Sequence, residues 1–198
     1  MKKLSIVLAL SCISLFSYGE KIRLVIDAAH GGQDAGAVSV SGDKESDICL
    51  QYANALAEYA KTKNIDVTLT RHSNDEFVPL EQRTKYALEN GVKTYFISFH
   101  TDMSANTETR GGSIMYSEQN ANAKESKALA EKMAQNLNRL NDIATKLQPK
   151  SIMVLKNSPA PAISISVGYI SNSTDLQKLK DAGTQKELAG LIVKAITE

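Results

Sequence analysis

Residues 23–36 read RLVIDAAHGGQDAG, an apolar run followed by a polar loop that contains three glycines. Short runs rich in leucine, valine and isoleucine become buried parallel strands in α/β proteins. Ligands of such proteins bind beyond the carboxyl ends of the strands. The stretch therefore predicts a first parallel strand over residues 23–27 that leads directly into a binding loop.

The rest of the chain alternates similar runs with helical patterns. Further strands are predicted at residues 66–70, 95–99, 112–116 and 163–167. Apolar residues recur at helical spacing in three segments: Ile48, Tyr52, Leu56, Tyr59; Leu129, Met133, Leu137, Leu140; and Leu188, Leu191, Ile192, Ala195, Ile196. A helix over residues 80–90, closed by Gly91, is expected between the second and third strands. Residues 102–110 and 141–150 are expected to form polar loops that border the binding cleft. This order predicts an α/β fold with three layers, in which helices cover both faces of a mostly parallel, twisted sheet.

Composition limits the function classes. The 198 residues are 42% hydrophobic and 23% charged, which suits one compact domain. The net charge is +1, so a nucleic-acid partner has no electrostatic support. Tryptophan is absent and aromatic residues make up 6%, which argues against gripping a polymer mainly by ring stacking.

The N-terminal segment is typical of an export signal. Lys2 and Lys3 precede an apolar run over residues 4–16, and small residues at 17 and 19 suit a signal peptidase. We predict a signal peptide over residues 1–19, a mature domain over residues 20–198, and a periplasmic or secreted location. A membrane anchor is the first alternative, although the run is shorter than the roughly 20 residues that a spanning helix needs. Lipidation at Cys12 is the second.

Removal of this segment leaves a mature chain with no predicted transmembrane segment and with Cys49 as its one cysteine. An internal disulfide is then excluded, and stability must come from a packed core. Cys49 lies within a helical pattern, which favours a small buried residue over a nucleophile.

Polar residues gather where the predicted strands end. His30 follows the first strand, His100 follows the third, and Glu45 opens the first long helix between them. Two histidines and one carboxylate suggest a zinc site with its fourth position left to water, the arrangement of a catalytic zinc. Each residue also has an ordinary interpretation: a hydrogen-bonded loop histidine, an anion-binding turn at residues 30–32, or a carboxylate favoured by the helix dipole. His72 has no evident partner and is expected at the surface.

Seven blocks of the sequence together resemble the zinc-dependent N-acetylmuramoyl-L-alanine amidases of the amidase-3 type. The blocks are LVIDAAHGGQDAGA, KESDICL, VTLTR, LEQRTKYA, FISFHTD, GGSIMY and PAISISVGYISN, in that order from residue 24 to residue 172. The resemblance implies an α/β domain that cleaves the amide between N-acetylmuramic acid and L-alanine in peptidoglycan. It also implies that His30, Glu45 and His100 are the ligands of Zn²⁺.

Two positions depart from the family's pattern. Ala29 stands where the family usually has glycine, and Ser166 stands where it carries the glutamate proposed as general base. Zinc lowers the pKa of its bound water to about 7, so a nucleophile still forms, but the group that passes a proton to the leaving nitrogen is lost. A positioned acid or base typically contributes roughly 10² to 10⁴ in rate.

Four aspartates are candidates to replace the missing glutamate in proton transfer. Asp47 is two residues from Glu45 and should point away from a metal, because positions i and i+2 do not share a helix face. Asp102 follows His100 closely enough to be considered. Asp27 and Asp34 are expected to brace the loop or to orient a ligand imidazole.

Two functions of different classes follow. The first is an exported zinc amidase that acts on peptidoglycan or muropeptides, slowed by the serine at position 166. The second is a zinc-containing pseudoamidase that binds peptidoglycan fragments or a partner protein without turnover. A carbohydrate or peptide binder without metal, built on the same fold, is a third interpretation.

Overall fold

The computed structural model describes residues 21–88, 91–141 and 145–198. The predicted signal peptide lies outside the described residues. In chain order the elements are β1 (Ile22–Ala28), α1 (Glu45–Lys61), β2 (Asp66–Leu69), α2 (Leu80–Lys85), β3 (Lys93–Asp102), β4 (Ser113–Tyr116), α3 (Ala123–Asn141), β5 (Lys146–Pro149), α4 (Met153–Lys156), β6 (Ala162–Tyr169), α5 (Ser173–Leu179) and α6 (Ala182–Thr197). Within these ranges, no helix has the length and apolar character that crossing a bilayer would require.

The strands form one mixed sheet in the order β2-β1-β3-β6-β4-β5. Strands β2, β1, β3 and β6 run parallel, and β4 pairs antiparallel with β6 and parallel with β5. The predicted α/β fold with a mostly parallel sheet is confirmed. Because β1 and β3 are neighbours, the residues that follow or end these strands meet at one edge of the sheet.

One face of the sheet carries the larger core. Alternate residues of the strands point to this side, and α1, α3 and α6 cover it. Its fully buried strand residues are Leu24, Ile26, Ile97, Phe99, Ile114, Ile163 and Ile165. The helical stripes predicted from Ile48, Leu129 and Leu188 onward supply the other half of this core. This face is the rigid support on which the strand ends are held.

The opposite face is apolar at one end and polar at the other. Val25, Phe96 and Ala162 pack there against Val154 and Leu155 of α4. Further along the strands the register places two polar rows on the same face: Asp27, Ser98 and Ser164 in the first, and His100, Ser166 and Ser113 in the second. The candidate site lies where this face becomes polar.

Two predicted boundaries were wrong. The helix expected over residues 80–90 ends at Lys85, because the amides of Ala87 and Leu88 bond three residues back and tighten the chain into a turn. Residues 89–90 lie outside the described part of the chain. The segment 141–150, predicted as a polar loop, contains β5. The amide of Lys146, its first residue, donates to Gly112 O just before β4, and the Lys150 amide just after β5 donates to Tyr116 O at the end of β4. The polar loop predicted at 102–110 is present after Asp102.

Candidate metal centre

His30, Glu45 and His100 converge at the carboxyl edge of β1 and β3. His30 Nε2 lies 3.3 Å from Glu45 Oε1, and His100 Nδ1 lies 3.1 Å from the same oxygen. The two imidazole rings meet edge to face, with centroids 5.4 Å apart. One ligand atom from each residue lies within 4.8 Å of the other two. Three residues far apart in sequence thus present two nitrogens and a carboxylate to one point.

His30 is held by its loop in a specific orientation. Its backbone has a φ of 60°, in the left-handed region that few non-glycine residues adopt. Asp34 Oδ2 lies 2.8 Å from His30 Nδ1, so Nδ1 is the nitrogen that donates and Nε2 is left facing Glu45. Asp34 therefore has the imidazole contact expected of it, and its other oxygen accepts the Gly36 amide at 3.0 Å.

Glu45 directs both carboxylate oxygens away from its own helix. It is the first residue of α1 and is 4% exposed. Oε1 accepts the Thr101 amide at 3.0 Å, and Oε2 accepts the Ala37 amide at 2.9 Å. The helix-dipole interpretation of this residue therefore does not account for its contacts, since the carboxylate accepts from the histidines, from a loop amide at Ala37 and from the β3 amide of Thr101.

The charges of the triad suit a cation. Burial opposes ionisation of Glu45, but hydrogen bonds from His100, His30 and the Ala37 amide hold its pKa well below the ordinary value. The hydrogen bond to Glu45 raises the pKa of His30, against the opposing effect of partial burial. Two imidazoles and one carboxylate are a donor set that zinc accepts.

Ser166 lies beside the triad but is closed off from solvent. It is fully buried, opposite His100 on one side and Ser113 on the other. Its Oγ has no hydrogen-bond partner within the described part of the chain, and neither has Oγ of Ser164. A serine in this setting offers no acidic group and no exposed nucleophile, so it cannot supply what a glutamate would.

None of the four aspartates belongs to the cluster formed by the triad in the residues that the structure describes. Asp27 is 2% exposed and accepts hydrogen bonds from Thr70, Ser98 and Arg83, which makes it a brace between strand ends. The Asp102 carboxylate accepts from Ser113 Oγ at 2.9 Å. Asp47 contacts its neighbour Ser46.

A cleft of about 310 Å³ opens beside the triad. His30, His100 and Asp34 line one side, and apolar side chains line the other: Phe77, Val78, Leu80 and Val154. Phe77 and Leu80 are 46% and 53% exposed and form the outer lip. The cleft can therefore hold a ligand with a polar group at the triad and an apolar part against the lip.

The comparison with known sequences decides the family. Residues 24–198 match the N-acetylmuramoyl-L-alanine amidase family along their whole length. The chain belongs to this family. The resemblance noted from the seven blocks is thereby confirmed.

Among the relatives of this amidase-family chain is AmiA of Escherichia coli, an N-acetylmuramoyl-L-alanine amidase, at 34% identity over 128 residues, or 65% of this chain and 43% of AmiA. The probable cell wall amidase LytH of Staphylococcus saprophyticus is 30% identical over 178 residues, 88% of this chain and 56% of LytH. The chain thus spans about half the length of these relatives.

Solved structures agree with the assignment. The catalytic domain of CwlV from Paenibacillus polymyxa, an N-acetylmuramoyl-L-alanine amidase, superposes with a TM-score of 0.78 at 29% identity, covering 89% of this chain and 96% of that domain. The amidase of Clostridium difficile gives 0.80 at 26% identity, covering 89% and 95%. The amidase-family fold is therefore present over the described domain.

Sequence reasoning missed two buried arginines that contact the site. Arg71 is fully buried and Arg83 is 2% exposed, and both donate to backbone carbonyls around His30. They belong to the blocks VTLTR and LEQRTKYA, which contribute to the family resemblance, but the sequence assigned no role to either arginine. His72 is exposed and Cys49 is buried, as predicted, and burial raises the pKa of the Cys49 thiol.

Gly36 offers a first test of the site. It has a φ of 66°, and a Cβ there would lie 2.7 Å from His30 Cδ2 and 2.8 Å from Glu45 Oε2. We expect Gly36→Ala to weaken metal affinity at least tenfold, on the order of losses seen when the surroundings of a metal ligand change. Competition with a chelating dye measures that affinity.

The matched control is Gly42→Ala. Gly42 has a φ of 88° but no atom within 4 Å of the added Cβ. Both substitutions carry the cost of alanine at positive φ, about 1–2 kcal/mol. Only Gly36→Ala adds a collision with the triad, so equal metal affinity in the two variants would contradict the geometry described for the site.

Proposed function

We propose that this chain is an exported, zinc-dependent N-acetylmuramoyl-L-alanine amidase. It hydrolyses the amide between N-acetylmuramic acid and L-alanine in peptidoglycan, and it does so slowly because position 166 is serine. The observation that carries the proposal is the convergence of His30, Glu45 and His100 on one point at the mouth of a cleft. Membership of the amidase family supports the reaction, and the names of the relatives as cell wall amidases support the substrate.

His30 through Nε2, Glu45 through its carboxylate and His100 would hold the zinc. The donor set supports this assignment, because three protein ligands of these types leave a position free for water or substrate. When bound, zinc supplies Lewis acidity, which polarises a carbonyl and lowers the pKa of a coordinated water. The ionised state of Glu45 and the tautomer that Asp34 imposes on His30 prepare the protein for such a cation.

The remaining steps belong to the protein itself. The apolar lip of Phe77 and Leu80 shields one side of the cleft from water and would hold a muropeptide with its scissile amide toward the triad. The leaving nitrogen must then receive a proton. With serine at position 166 no carboxylate stands in the family's place to deliver it, so the proton comes from solvent, and the rate falls by roughly 10² to 10⁴.

The second candidate is a pseudoamidase that binds peptidoglycan fragments or a partner protein without cleaving them. The burial of Ser166, whose Oγ finds no partner in the described ranges, favours it. The triad and the cleft would then serve recognition alone. The two candidates share zinc and differ in turnover, and they share the ligand where the pseudoamidase binds peptidoglycan fragments.

Export is the second part of the proposal. Residues 1–19 have the charged start, apolar centre and small residues of a signal peptide. The domain from residue 20 onward would then act outside the cytoplasm, where peptidoglycan lies. Expression of the full chain in a bacterium, followed by N-terminal sequencing of the mature protein, tests this: a mature protein that still begins at Met1 would contradict it.

Turnover is tested on purified muropeptides. Protein loaded with one equivalent of zinc should release free stem peptide that begins with L-alanine, detected by mass spectrometry, and a chelator should stop the release. Binding of the same muropeptide without release identifies the pseudoamidase. Absence of both binding and release would contradict the amidase and the pseudoamidase that binds peptidoglycan fragments.

A further inference from the structure

Arg71 carries a buried guanidinium, and each of its N–H groups donates a hydrogen bond to an oxygen near the site. It lies two residues after the end of β2 and is fully buried. Its five N–H groups have these acceptors: Ala28 O at 3.0 Å, Ala29 O at 3.0 Å, Ser46 O at 2.6 Å, Ser73 O at 2.9 Å and Asn74 Oδ1 at 3.3 Å. None of these acceptors carries a charge.

Two of the acceptors stand next to the ligand residues. Ala29 precedes His30, and Ser46 follows Glu45. The same nitrogen, Nη2 of Arg71, donates to both carbonyls. One planar group thus joins the loop that carries one ligand to the helix start that carries another.

Arg83 holds the first ligand from the other side. Its Nη2 donates to His30 O at 2.8 Å, and its Nη1 donates to Ala28 O at 2.7 Å and to Asp27 Oδ1 at 2.8 Å. The backbone of His30 lies in the left-handed region and needs such support to persist. The two arginines together fix the peptide units on both sides of the His30 side chain.

The burial of Arg71 is not explained by stability alone. Asp27 and Asp47 attract Arg71, but burying a charge with no carboxylate among its hydrogen-bond acceptors is unfavourable, and apolar groups of similar size often stabilise a fold as well or better. What an arginine adds is its geometry: five donors in a rigid plane that can hold several carbonyls at fixed separations. A lysine has three donors on one atom and cannot reach all five acceptors.

We propose that Arg71 is a positioning residue that sets the separation of His30 from Glu45 before a cation binds. Arg83 assists it by fixing the backbone of His30. The inference rests on the proposed function only in that the triad must bind a divalent cation. It assigns to Arg71 an effect on metal affinity in addition to its effect on folding.

The two effects are separable by measuring zinc affinity and thermal stability on the same variants. Anything that binds only the folded state raises the melting temperature by an amount that grows with the logarithm of its affinity. For Arg71→Lys we expect zinc affinity, measured by chelator competition, to fall at least tenfold, which is within the range for groups that orient metal ligands. The rise in melting temperature on adding zinc should shrink in step.

Leu137→Ala is the matched control. Leu137 is fully buried in α3, within the larger core and outside the cluster that contains the triad. It should lower the melting temperature of the metal-free protein while zinc affinity stays within twofold of the wild type. Arg83→Lys provides a second variant should Arg71→Lys fail to fold, and the same fall in affinity is expected of it.

The outcomes distinguish this inference from the proposed function. A wild-type protein that binds no zinc overturns the metal site, and the positioning role with it. A wild type that binds zinc, beside a folded Arg71→Lys whose affinity is unchanged, overturns the positioning role alone. If Arg71→Lys does not fold, unchanged affinity in Arg83→Lys has the same meaning.

Discussion

Replacement of His100 with alanine is expected to remove stoichiometric zinc from the purified protein and to abolish any muropeptide hydrolysis. The substitution leaves two of the three protein ligands, and it deprives Glu45 Oε1 of a partner now 3.1 Å away. A zinc site with two protein ligands does not retain the metal through dialysis against a chelator. Metal analysis by mass spectrometry, normalised to protein concentration, measures the loss. The same result is expected for His30→Ala.

The control is the histidine outside the site. His72 is exposed and takes no part in the cluster of metal-ligating groups within the described residues. His72→Ala should therefore keep the full zinc content of the wild type. Full zinc content in His100→Ala or His30→Ala would mean that the metal is bound elsewhere.

Restoring a glutamate at position 166 is expected to raise the rate of muropeptide hydrolysis by about two orders of magnitude. The residue pairs with His100 across β3 and β6, so a longer acidic side chain there extends toward the triad. The site is fully buried, and added atoms cost about 1–3 kcal/mol in a packed region. A lower melting temperature should therefore accompany the higher rate. Initial rates of stem-peptide release on Ser166→Glu and the wild type give the ratio.

Ser166→Gln separates proton transfer from packing. Glutamine has the size of glutamate and the same cost of insertion, but it cannot exchange a proton at neutral pH. It should therefore be as slow as the wild type. If the wild type already matches Ser166→Glu, the acidic group lies elsewhere. Asp102, whose carboxylate is bonded to Ser113 in the same row, would be the next residue to change.

Much of the fold could be predicted because its signals are local. The apolar run at residues 23–27 predicts a strand, and the apolar stripe from Leu188 to Ile196 predicts a helix. Both are present, as β1 and α6. Strand β5 carries no such signal: its four residues, KLQP, include only one large apolar side chain, and the strand forms by pairing with β4. The end of α2 at Lys85 likewise depends on Ala87 entering the smaller core. The presence of β5 and the end of α2 therefore depend on contacts with other parts of the folded protein, which the sequence of either segment alone does not reveal.

The candidate site also contains some contacts that the sequence predicts and others that it does not. The approach of His30 to His100 could be predicted, since carboxyl ends of neighbouring parallel strands share an edge. Arg71 could not, because three of its five acceptors are backbone carbonyls 25 to 43 residues away, and a backbone carbonyl belongs to every residue type. Asp34 lies between these cases: the sequence predicts that it braces the loop or orients a ligand imidazole, and the loop geometry decides which oxygen and which nitrogen meet.

The edge strand β5 affects how copies of the chain can associate. Strand β5 ends the sheet on that side, spans only four residues, begins with Lys146 and finishes with Pro149. A proline has no amide hydrogen to offer to a neighbouring strand, and a lysine must be desolvated by any chain that docks alongside. Short edge strands that contain lysine and proline disfavour the strand-to-strand pairing that leads to amyloid. Concentrated solutions of the folded protein should therefore resist fibre formation along this side.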